Sequence, residues 1–227
     1  MFVVNDYPPP LPADLVEQMK KVETATLGHL LHDGFLDRHI RSISSGLRVV
    51  GCAVTVRIPA MDSVLLHHAV SHARPGDFVV VDRCGDDRHA CWGGIVTHAA
   101  AIGKVAGAAI DGPCTDLSEI QRCNFPIWAR GFSPITTKQL GLGGALNVPI
   151  TVGGQIVHPG DLVLADESGV VVLARERAAS LAAKALAMQS FEIDLVEKLR
   201  SGFRLSDLSG ATSKVMDATV RQADAGH

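Results

Sequence analysis

Apolar residues recur at helical spacing in two segments of the N-terminal half. Residues 13–34, "ADLVEQMKKVETATLGHLLHDG", alternate apolar and polar groups with this period up to Gly34, after a stiff extended lead, "PPPLP", at residues 8–12. Residues 63–73, "SVLLHHAVSHA", have the same texture and stop before Pro75. The pattern predicts an N-terminal arm, one or two helices, and a further helix that ends before Pro75.

A longer helix is predicted near the C-terminus. Residues 175–202, "RERAASLAAKALAMQSFEIDLVEKLRSG", consist of strong helix formers and end at Gly202. The second half of this segment is charged, so we expect it to project from the core and to pack on another subunit.

Strand patterns fill the middle of the chain. Residues 47–58, "LRVVGCAVTVRI", are rich in β-branched residues and carry a central glycine, which predicts a strand with a bulge or a close backbone approach. "PGDFVVVDRCG" at 75–85 and "PGDLVLADESG" at 159–169 repeat one pattern without a gap, a turn that leads into a buried strand.

The order of these elements predicts the fold class. Strands alternate with helices such as "GGIVTHAAAIGKVAG" (93–107), and several consecutive strands follow in residues 147–174. We therefore expect an α/β fold with a mixed β core, N-terminal helices and a C-terminal helical extension. The predicted organisation is an N-terminal arm (1–20), a core domain (21–175), and a C-terminal helix and tail (176–227).

Composition and charge narrow the classes of partner. With 227 residues and 47% apolar content, the chain can bury a substantial core. The net charge is −3 and the basic residues are scattered, which gives no electrostatic footprint for nucleic acid or an anionic membrane. No signal-like segment and no long uncharged apolar stretch is present, so we expect a cytoplasmic protein that binds small solutes or other proteins.

The cysteines argue against two kinds of stabilising site. The chain has five, and no two of them form a C-x-x-C pair, which disfavours a disulfide framework and a structural zinc site. Cys114 has no activating histidine near it in sequence, so we expect a small buried residue rather than a nucleophile.

One short passage concentrates candidate chemistry. In "IDGPCTDLSEI" (110–120), Gly112 and Pro113 end a predicted strand, and Asp116 precedes Glu119 by three residues, as in a helix capping box. Asp116 is therefore predicted to cap a helix, to hold a metal ion, or to do both.

An ordered series of motifs resembles a known family. "IDGPCTDLSEI", "NFPIWARG", "NVPITVGGQIVHPGDLVLADESGVVVL" and "SFEIDLVEKLRSG" together resemble the ribonuclease activity regulator A and 4-hydroxy-4-methyl-2-oxoglutarate aldolase family, from roughly Thr24 to Gly202. The resemblance implies a swivelling α/β/α-type domain that forms homotrimers or hexamers with active sites at subunit interfaces. It also implies a lyase that binds Mg²⁺ or Mn²⁺ and releases pyruvate or a related 2-oxo acid.

The same resemblance assigns roles to residues. Asp116 matches the family's metal-binding aspartate, and the backbone of the Gly93, Gly94, Ile95 and Val96 loop is expected to bind an anionic group of the substrate. In family aldolases an acid from the C-terminal segment reaches the neighbouring subunit's site, and either Glu192 or Asp194 aligns with it.

Two positions depart from the aldolase pattern. The family's aldolases usually place an arginine before the metal-binding aspartate, where this chain has Thr115, which offers one neutral hydrogen bond to a substrate carboxylate. The aldolases also carry an acid in the glycine loop, where this chain has Gly94, so a candidate acid–base group is absent there.

Several explanations remain open at this point. One explanation is a lyase for another substrate, in which Arg83, Arg88 or a catalytic His89 from "DRCGDDRHACW" replaces the lost groups. The other two are a non-catalytic regulator or scaffold, and an enzyme of another reaction type. A solvated surface loop is the alternative reading of that segment.

Other histidines have ordinary readings. His98 is expected to be packed or capping rather than catalytic, and the histidines at 67, 68 and 72 are expected to lie on a surface helix rather than to bind zinc.

Overall fold

The computed structural model describes residues 1–43 and 46–224, with side chains up to residue 218. The chain divides into two compact units, Met1–Ala183 and a C-terminal unit that begins at Lys184. The last three residues of the predicted tail, 225–227, lie outside the described part. The predicted boundaries at residues 20 and 175 stay predictions.

The first unit contains all the strands of the described chain and five complete helices. The strands are β1 (Phe2–Val4), β2 (Arg41–Ser42), β3 (Val49–Arg57), β4 (Asp77–Asp82), β5 (Gly107–Ile110), β6 (Ile127–Ala129), β7 (Gly144–Leu146), β8 (Ile150–Val152), β9 (Gln155–Val157), β10 (Leu162–Asp166) and β11 (Gly169–Leu173). The helices are α1 (Ala13–Met19), α2 (Thr24–Gly28), α3 (Val64–His72), α4 (Gly94–Ile102) and α5 (Leu117–Arg122). A long helix, α6 (Arg175–Arg200), begins in this unit.

Nine strands form one mixed sheet. Its main path runs β1-β7-β3-β4-β5-β6-β2, in which β3, β4, β5 and β6 are parallel. Off this path, β10 pairs antiparallel with β3, and β11 pairs antiparallel with β10. Alternate residues of β4 enter two different apolar clusters, Val79 and Val81 in one, Phe78 and Val80 in the other, as the two-residue period of a strand requires. The predicted α/β class, with its mixed β core and helices at both ends, is confirmed.

The two PGD segments fold alike. In each copy the first aspartate accepts the backbone amide three residues before it, from Arg74 to Asp77 and from His158 to Asp161, at 2.8 Å in both. The second aspartate of each copy, Asp82 or Asp166, accepts the amide two residues after it. The repeat therefore encodes one structural unit, a side-chain-stabilised turn at each end of a buried strand.

Gly51 in β3 permits the close approach that the sequence predicts. A Cβ atom at this position would lie 2.7 Å from the Cβ of Phe78 on the neighbouring strand. Since real Cβ atoms do not approach so closely, only glycine allows this pairing.

The parallel strands align their carboxyl ends at one edge of the sheet, where charged residues follow them. Arg57 and Asp82 pair at 2.9 Å, and Arg130 pairs with Asp111 at 2.5 Å. Ligands of open α/β sheets bind at this edge, in the crevices between the loops that follow the strands. A functional site is therefore expected in the loops after β4 and β5.

The C-terminal unit is helical. It contains the rest of α6, which ends at Arg200, two residues before the predicted end at Gly202. Two further helices follow, α7 (Leu205–Leu208) and α8 (Ala211–Asp224). Gly202 has a φ of 95°, a left-handed conformation suited to glycine after a helix. Among the described residues no helix has the length and apolarity that crossing a membrane requires.

Candidate functional site

A cavity of about 190 Å³ opens beside Asp116, and we call it the Asp116 pocket. Four segments line it: the loop and first turn of α4, the turn before α5, one face of α3, and the extended segment after β6. The lining residues are Ser63, His67, Ala90, Cys91, Gly93, Gly94, Ile95, Val96, Thr115, Asp116, Thr136, Thr137, Lys138 and Gln139. The structure thus brings together all five residues predicted to bind substrate and the predicted metal ligand.

Asp116 does not cap its own helix. It occupies the N-cap position of α5 with φ 56° and ψ 47°, and its side chain makes no capping hydrogen bond. Its Oδ2 instead accepts the backbone amide of Gly94 at 2.8 Å. The predicted capping box with Glu119 is therefore wrong, because the left-handed backbone of Asp116 directs its carboxylate across to α4.

The second oxygen of Asp116 is open to a ligand. Its Oδ1 lies 3.5 Å from the Thr115 hydroxyl, a long contact that leaves most of its acceptor capacity unused. Within the described residues no cluster of three or more histidine, cysteine or acidic side chains is arranged to hold a metal ion. A single carboxylate oxygen beside a water-accessible cavity suits Mg²⁺ or Mn²⁺, which keep several waters, and does not suit zinc.

Two glycines make room for this arrangement. A Cβ on Gly93 would lie 2.7 Å from Asp116 Oδ2, and a Cβ on Gly94 would lie 3.0 Å from Cγ of Glu119. The side chain of Glu119 thus crosses the space into which a residue at position 94 would project. The first-turn amides of Ile95 and Val96 have no acceptor within α4, as at any helix start, and can receive an anionic group.

Lys138 brings a cation to the pocket. Its backbone is fixed by two hydrogen bonds, from its own amide to the Met61 carbonyl at 2.7 Å and from the Ser63 amide to its carbonyl at 3.0 Å. The buried carboxylate of Asp62 holds the continuation of the segment by accepting the amides of Leu140 and Leu142, at 3.2 and 2.6 Å. Sequence reasoning missed Lys138, because "TTKQLGLGG" carries no motif that marks a site.

His67 also lies in the pocket, which the sequence did not indicate. The amide nitrogen of Gln139 lies 3.1 and 3.2 Å from the two ring nitrogens of His67 and donates to Ser63 Oγ at 3.2 Å. Burial lowers the pKa of His67 from its ordinary value. All three histidines at 67, 68 and 72 are exposed on α3, as expected, and the ring centroids of His68 and His72 lie 4.3 Å apart with the rings tilted by 36°.

The loop "DRCGDDRHACW" places its charged side chains elsewhere. Arg83 is fully buried and pairs with Asp86 at 2.7 Å, and His89 Nδ1 lies 3.1 Å from the same carboxylate. Neither side chain lines the pocket, and Arg88 is exposed. From this loop, Ala90 and Cys91 line the pocket.

Four further residues considered in the sequence analysis, His98, Cys114, Glu192 and Asp194, do not line the pocket. His98 of α4 is half exposed, and its Nε2 lies 3.2 Å from the Glu119 carboxylate. Glu192 and Asp194 are exposed on α6 in the C-terminal unit. Cys114 is buried as predicted, and burial raises its pKa to about 12.

Comparison with known proteins identifies the family. The family model described as "RraA-like: Aldolase/RraA" matches residues 13–172, a range that contains every residue of the Asp116 pocket. The chain belongs to this family. The predicted resemblance is therefore confirmed.

Individual similar proteins cover most of this chain. The "Putative 4-hydroxy-4-methyl-2-oxoglutarate aldolase" of Halalkalibacterium halodurans is 33% identical over 179 residues, which is 78% of this chain and 84% of that protein. A solved structure of a Pseudomonas syringae pv. tomato protein aligns with a TM-score of 0.76 at 28% identity, covering 93% of this chain and 99% of that one.

A second solved structure links the family to ribonuclease regulation. Streptomyces coelicolor RraAS2, described as an unusual member of the RNase ES inhibitor RraA protein family, aligns with a TM-score of 0.74 at 27% identity. The alignment covers 83% of this chain and 99% of RraAS2. The RraA-like relatives of this chain thus include proteins named as aldolases and proteins named as ribonuclease inhibitors.

Proposed function

We propose that the protein is a divalent-metal-dependent carbon–carbon lyase. Its substrate would be a small 2-oxo or hydroxy acid, cleaved by aldol cleavage or decarboxylation to release pyruvate or a related 2-oxo acid. The observation that carries this proposal is the position of the Asp116 carboxylate, which is turned from its own helix towards Gly94 and lines the pocket with one oxygen open. The relative named as a putative aldolase supports the same class of chemistry.

Asp116 would hold Mg²⁺ or Mn²⁺ through Oδ1, directly or through a water molecule. A divalent cation held there would be chelated by a 2-oxo acid and would act as a Lewis acid that stabilises the negative charge left by carbon–carbon cleavage. The bond from the Gly94 amide to Oδ2 fixes the orientation of the carboxylate, so that Oδ1 remains directed to the ligand.

The substrate carboxylate needs a positive or hydrogen-bonding partner. Thr115 supplies one neutral hydroxyl where the family's aldolases have arginine, and Lys138 lines the same cavity from another segment. We assign the anion-binding role to Lys138, the Thr115 hydroxyl, and the amides of Ile95 and Val96 together. Lys138 would then supply the positive charge that an arginine at position 115 supplies in the family's aldolases.

The remaining predicted catalytic residues are His89, Glu192 and Asp194. Because His89 is paired with Asp86 and does not line the pocket, we assign it no role in catalysis. Glu192 and Asp194 stay predictions of an acid that completes a neighbouring subunit's site. We further propose a homotrimer or hexamer in the cytoplasm, which the exposed apolar residues Phe191 and Ile193 of α6 support, at 58% and 66% exposure.

A second candidate function is a non-catalytic regulator or scaffold. The similarity to RraAS2 favours it. A regulator that acts through a protein surface would not require a metal ion in the Asp116 pocket.

Calorimetric titration with Mn²⁺ and oxalate, a mimic of the enolate of pyruvate, separates the two candidates. The lyase proposal predicts that oxalate binds only with Mn²⁺ present and that Asp116→Asn removes this binding. Asp87→Asn, which changes an exposed acid outside the pocket, should bind as the wild type does. Oxalate binding that is indifferent to Mn²⁺ and to Asp116→Asn would contradict the proposal and favour the regulator.

A further inference from the structure

His67 and Gln139 form a pair on the wall of the Asp116 pocket. Both residues line the cavity, and they come from α3 and from the segment after β6, which are far apart in sequence. The amide nitrogen of Gln139 is almost equally distant from the two ring nitrogens, 3.1 and 3.2 Å. An amide nearly equally distant from both ring nitrogens is in line with neither of them, so it does not form a linear hydrogen bond with either one.

We propose that His67 is the general base of the Asp116 pocket and that Gln139 positions its ring, an inference that rests on the proposed lyase function. Carbon–carbon cleavage of this class needs a group that removes one proton and returns one, and imidazole does both near neutral pH. Gln139 is itself anchored to Ser63 Oγ at 3.2 Å, which fixes the amide against the ring.

The other ionisable groups of the pocket are less suited to this role. Asp116 is committed to the cation, and the Lys138 ammonium has no lone pair with which to accept a proton. Burial raises the pKa of Cys91 to about 11, so its thiol stays protonated near neutral pH. Burial lowers the pKa of His67, which keeps its imidazole neutral and able to accept a proton at pH 7.

His67 alone can carry out both proton transfers of the reaction. With a 4-hydroxy-2-oxo acid, His67 takes the proton of the 4-hydroxyl group, the bond between carbons 3 and 4 breaks, and carbon 4 becomes the carbonyl carbon of the departing product. The electron pair of the broken bond passes to carbon 3. The imidazolium then returns the same proton to carbon 3, which completes pyruvate.

The reverse of the last step provides a direct assay. A neutral His67 should remove a proton from the methyl group of pyruvate, so that the wild type with Mg²⁺ exchanges these protons with deuterium from D₂O, as followed by NMR. His67→Gln should reduce the exchange rate by about 100-fold or more. Its melting temperature and its affinity for oxalate with Mn²⁺ should stay close to the wild-type values.

His68→Gln is the matched control, because His68 is the next residue on α3, is exposed and does not line the pocket. It should exchange at the wild-type rate. Gln139→Leu should slow exchange less than His67→Gln does. In the wild type the exchange rate should rise with pH through a single ionisation below the ordinary histidine value of 6.5, and this inflection should vanish in His67→Gln. The charged or ionisable residues that line the pocket together with His67 are Asp116, Lys138 and Cys91.

Three results would contradict the inference, and they can be told apart. Exchange at the wild-type rate in His67→Gln, or wild-type protein that binds oxalate with Mn²⁺ yet exchanges no methyl protons, would exclude His67 as the base and leave the pocket assignment intact. Wild-type protein that neither binds oxalate nor exchanges protons would overturn the proposed function itself.

Discussion

The backbone amide of Gly94 donates a hydrogen bond of 2.8 Å to the carboxylate of Asp116 and so couples the start of α4 to the turn before α5. This bond replaces the helix cap that Asp116 would otherwise form, and it leaves Oδ1 available to a ligand. The two positions are 22 residues apart, so the relationship exists only once β5 and α4 have packed.

Gly94→Ala tests the close approach of the Glu119 side chain to position 94. Gly94→Ala places a methyl group about 3 Å from Cγ of Glu119, so the Glu119 side chain must move. We expect Gly94→Ala to lower stability and to weaken Mn²⁺-dependent oxalate binding. In a Glu119→Ala background the same change should cost less, because the Cγ contact is removed while the Cβ at position 119, 3.2 Å from the new methyl group, remains. A double-mutant cycle by thermal melting measures this coupling, and additive effects would contradict the steric explanation.

Thr115→Arg tests the departure from the aldolase pattern. The residue lines the pocket beside Asp116, and a guanidinium there can form two charge-assisted hydrogen bonds with a carboxylate. We expect pyruvate and oxalate to bind at least tenfold more tightly, as measured by calorimetry with Mn²⁺. Thr115→Lys, which adds the charge without the planar fork, should give a smaller gain. Unchanged affinity in both variants would disprove the assignment of position 115 to the substrate carboxylate.

Lys138→Met tests the cation that the structure supplies from another segment. Removing the ammonium while keeping much of the side chain's length should weaken oxalate binding by about tenfold or more, with little effect on the melting temperature. Lys104→Met, at an exposed lysine outside the pocket, is the control and should bind normally. Equal affinity in the two variants would remove Lys138 from the site.

Asp62→Asn tests the support of that segment. The carboxylate is 1% exposed, and although burial opposes its charge, hydrogen bonds from the amides of Val64, Leu142, Leu140 and Gly141 lower its pKa below 3.8. An asparagine has one acceptor oxygen, so we expect a loss of about 2 kcal/mol in the free energy of unfolding at pH 7.

The pH dependence of that loss follows from the direction of the shift. A lowered folded-state pKa contributes stability that is fully present above the unfolded value of 3.8 and is lost as the pH falls through the folded value. The difference in unfolding free energy between wild type and Asp62→Asn should therefore narrow in acid. A difference that is constant from pH 7 down to acid unfolding would show that the charge of Asp62 is not what stabilises the segment.

Much of the fold followed from local sequence. The repeated PGD segments, the apolar periodicity of α3 and the long run of helix formers in α6 each depend on residues that are neighbours in the chain, so their structures could be predicted. The resemblance to the RraA-like family directed attention to the loop at Gly93 and to Asp116, which the structure places in one pocket; the metal-binding role of Asp116 stays a prediction. The cap at Asp116 was mispredicted because its sequence pattern fits a capping box while its left-handed backbone, with φ 56°, does not.

The rest of the site depends on contacts between distant segments. Lys138 reaches the pocket because its backbone pairs with Met61 and Ser63, about 75 residues earlier in the chain. His67 was indistinguishable in sequence from His68, and only the packing of α3 beside the pocket separates their environments. No local pattern encodes either relationship.

The release of pyruvate from oxaloacetate and from 4-hydroxy-2-oxo acids is the most direct test of a metal-dependent lyase at Asp116. We predict release by the wild type with Mn²⁺ or Mg²⁺, loss of release on adding a chelator, recovery on restoring the metal, and no release by Asp116→Asn. Release that persists in Asp116→Asn, or wild-type release no greater than that of the variant with every substrate and metal, would contradict the account.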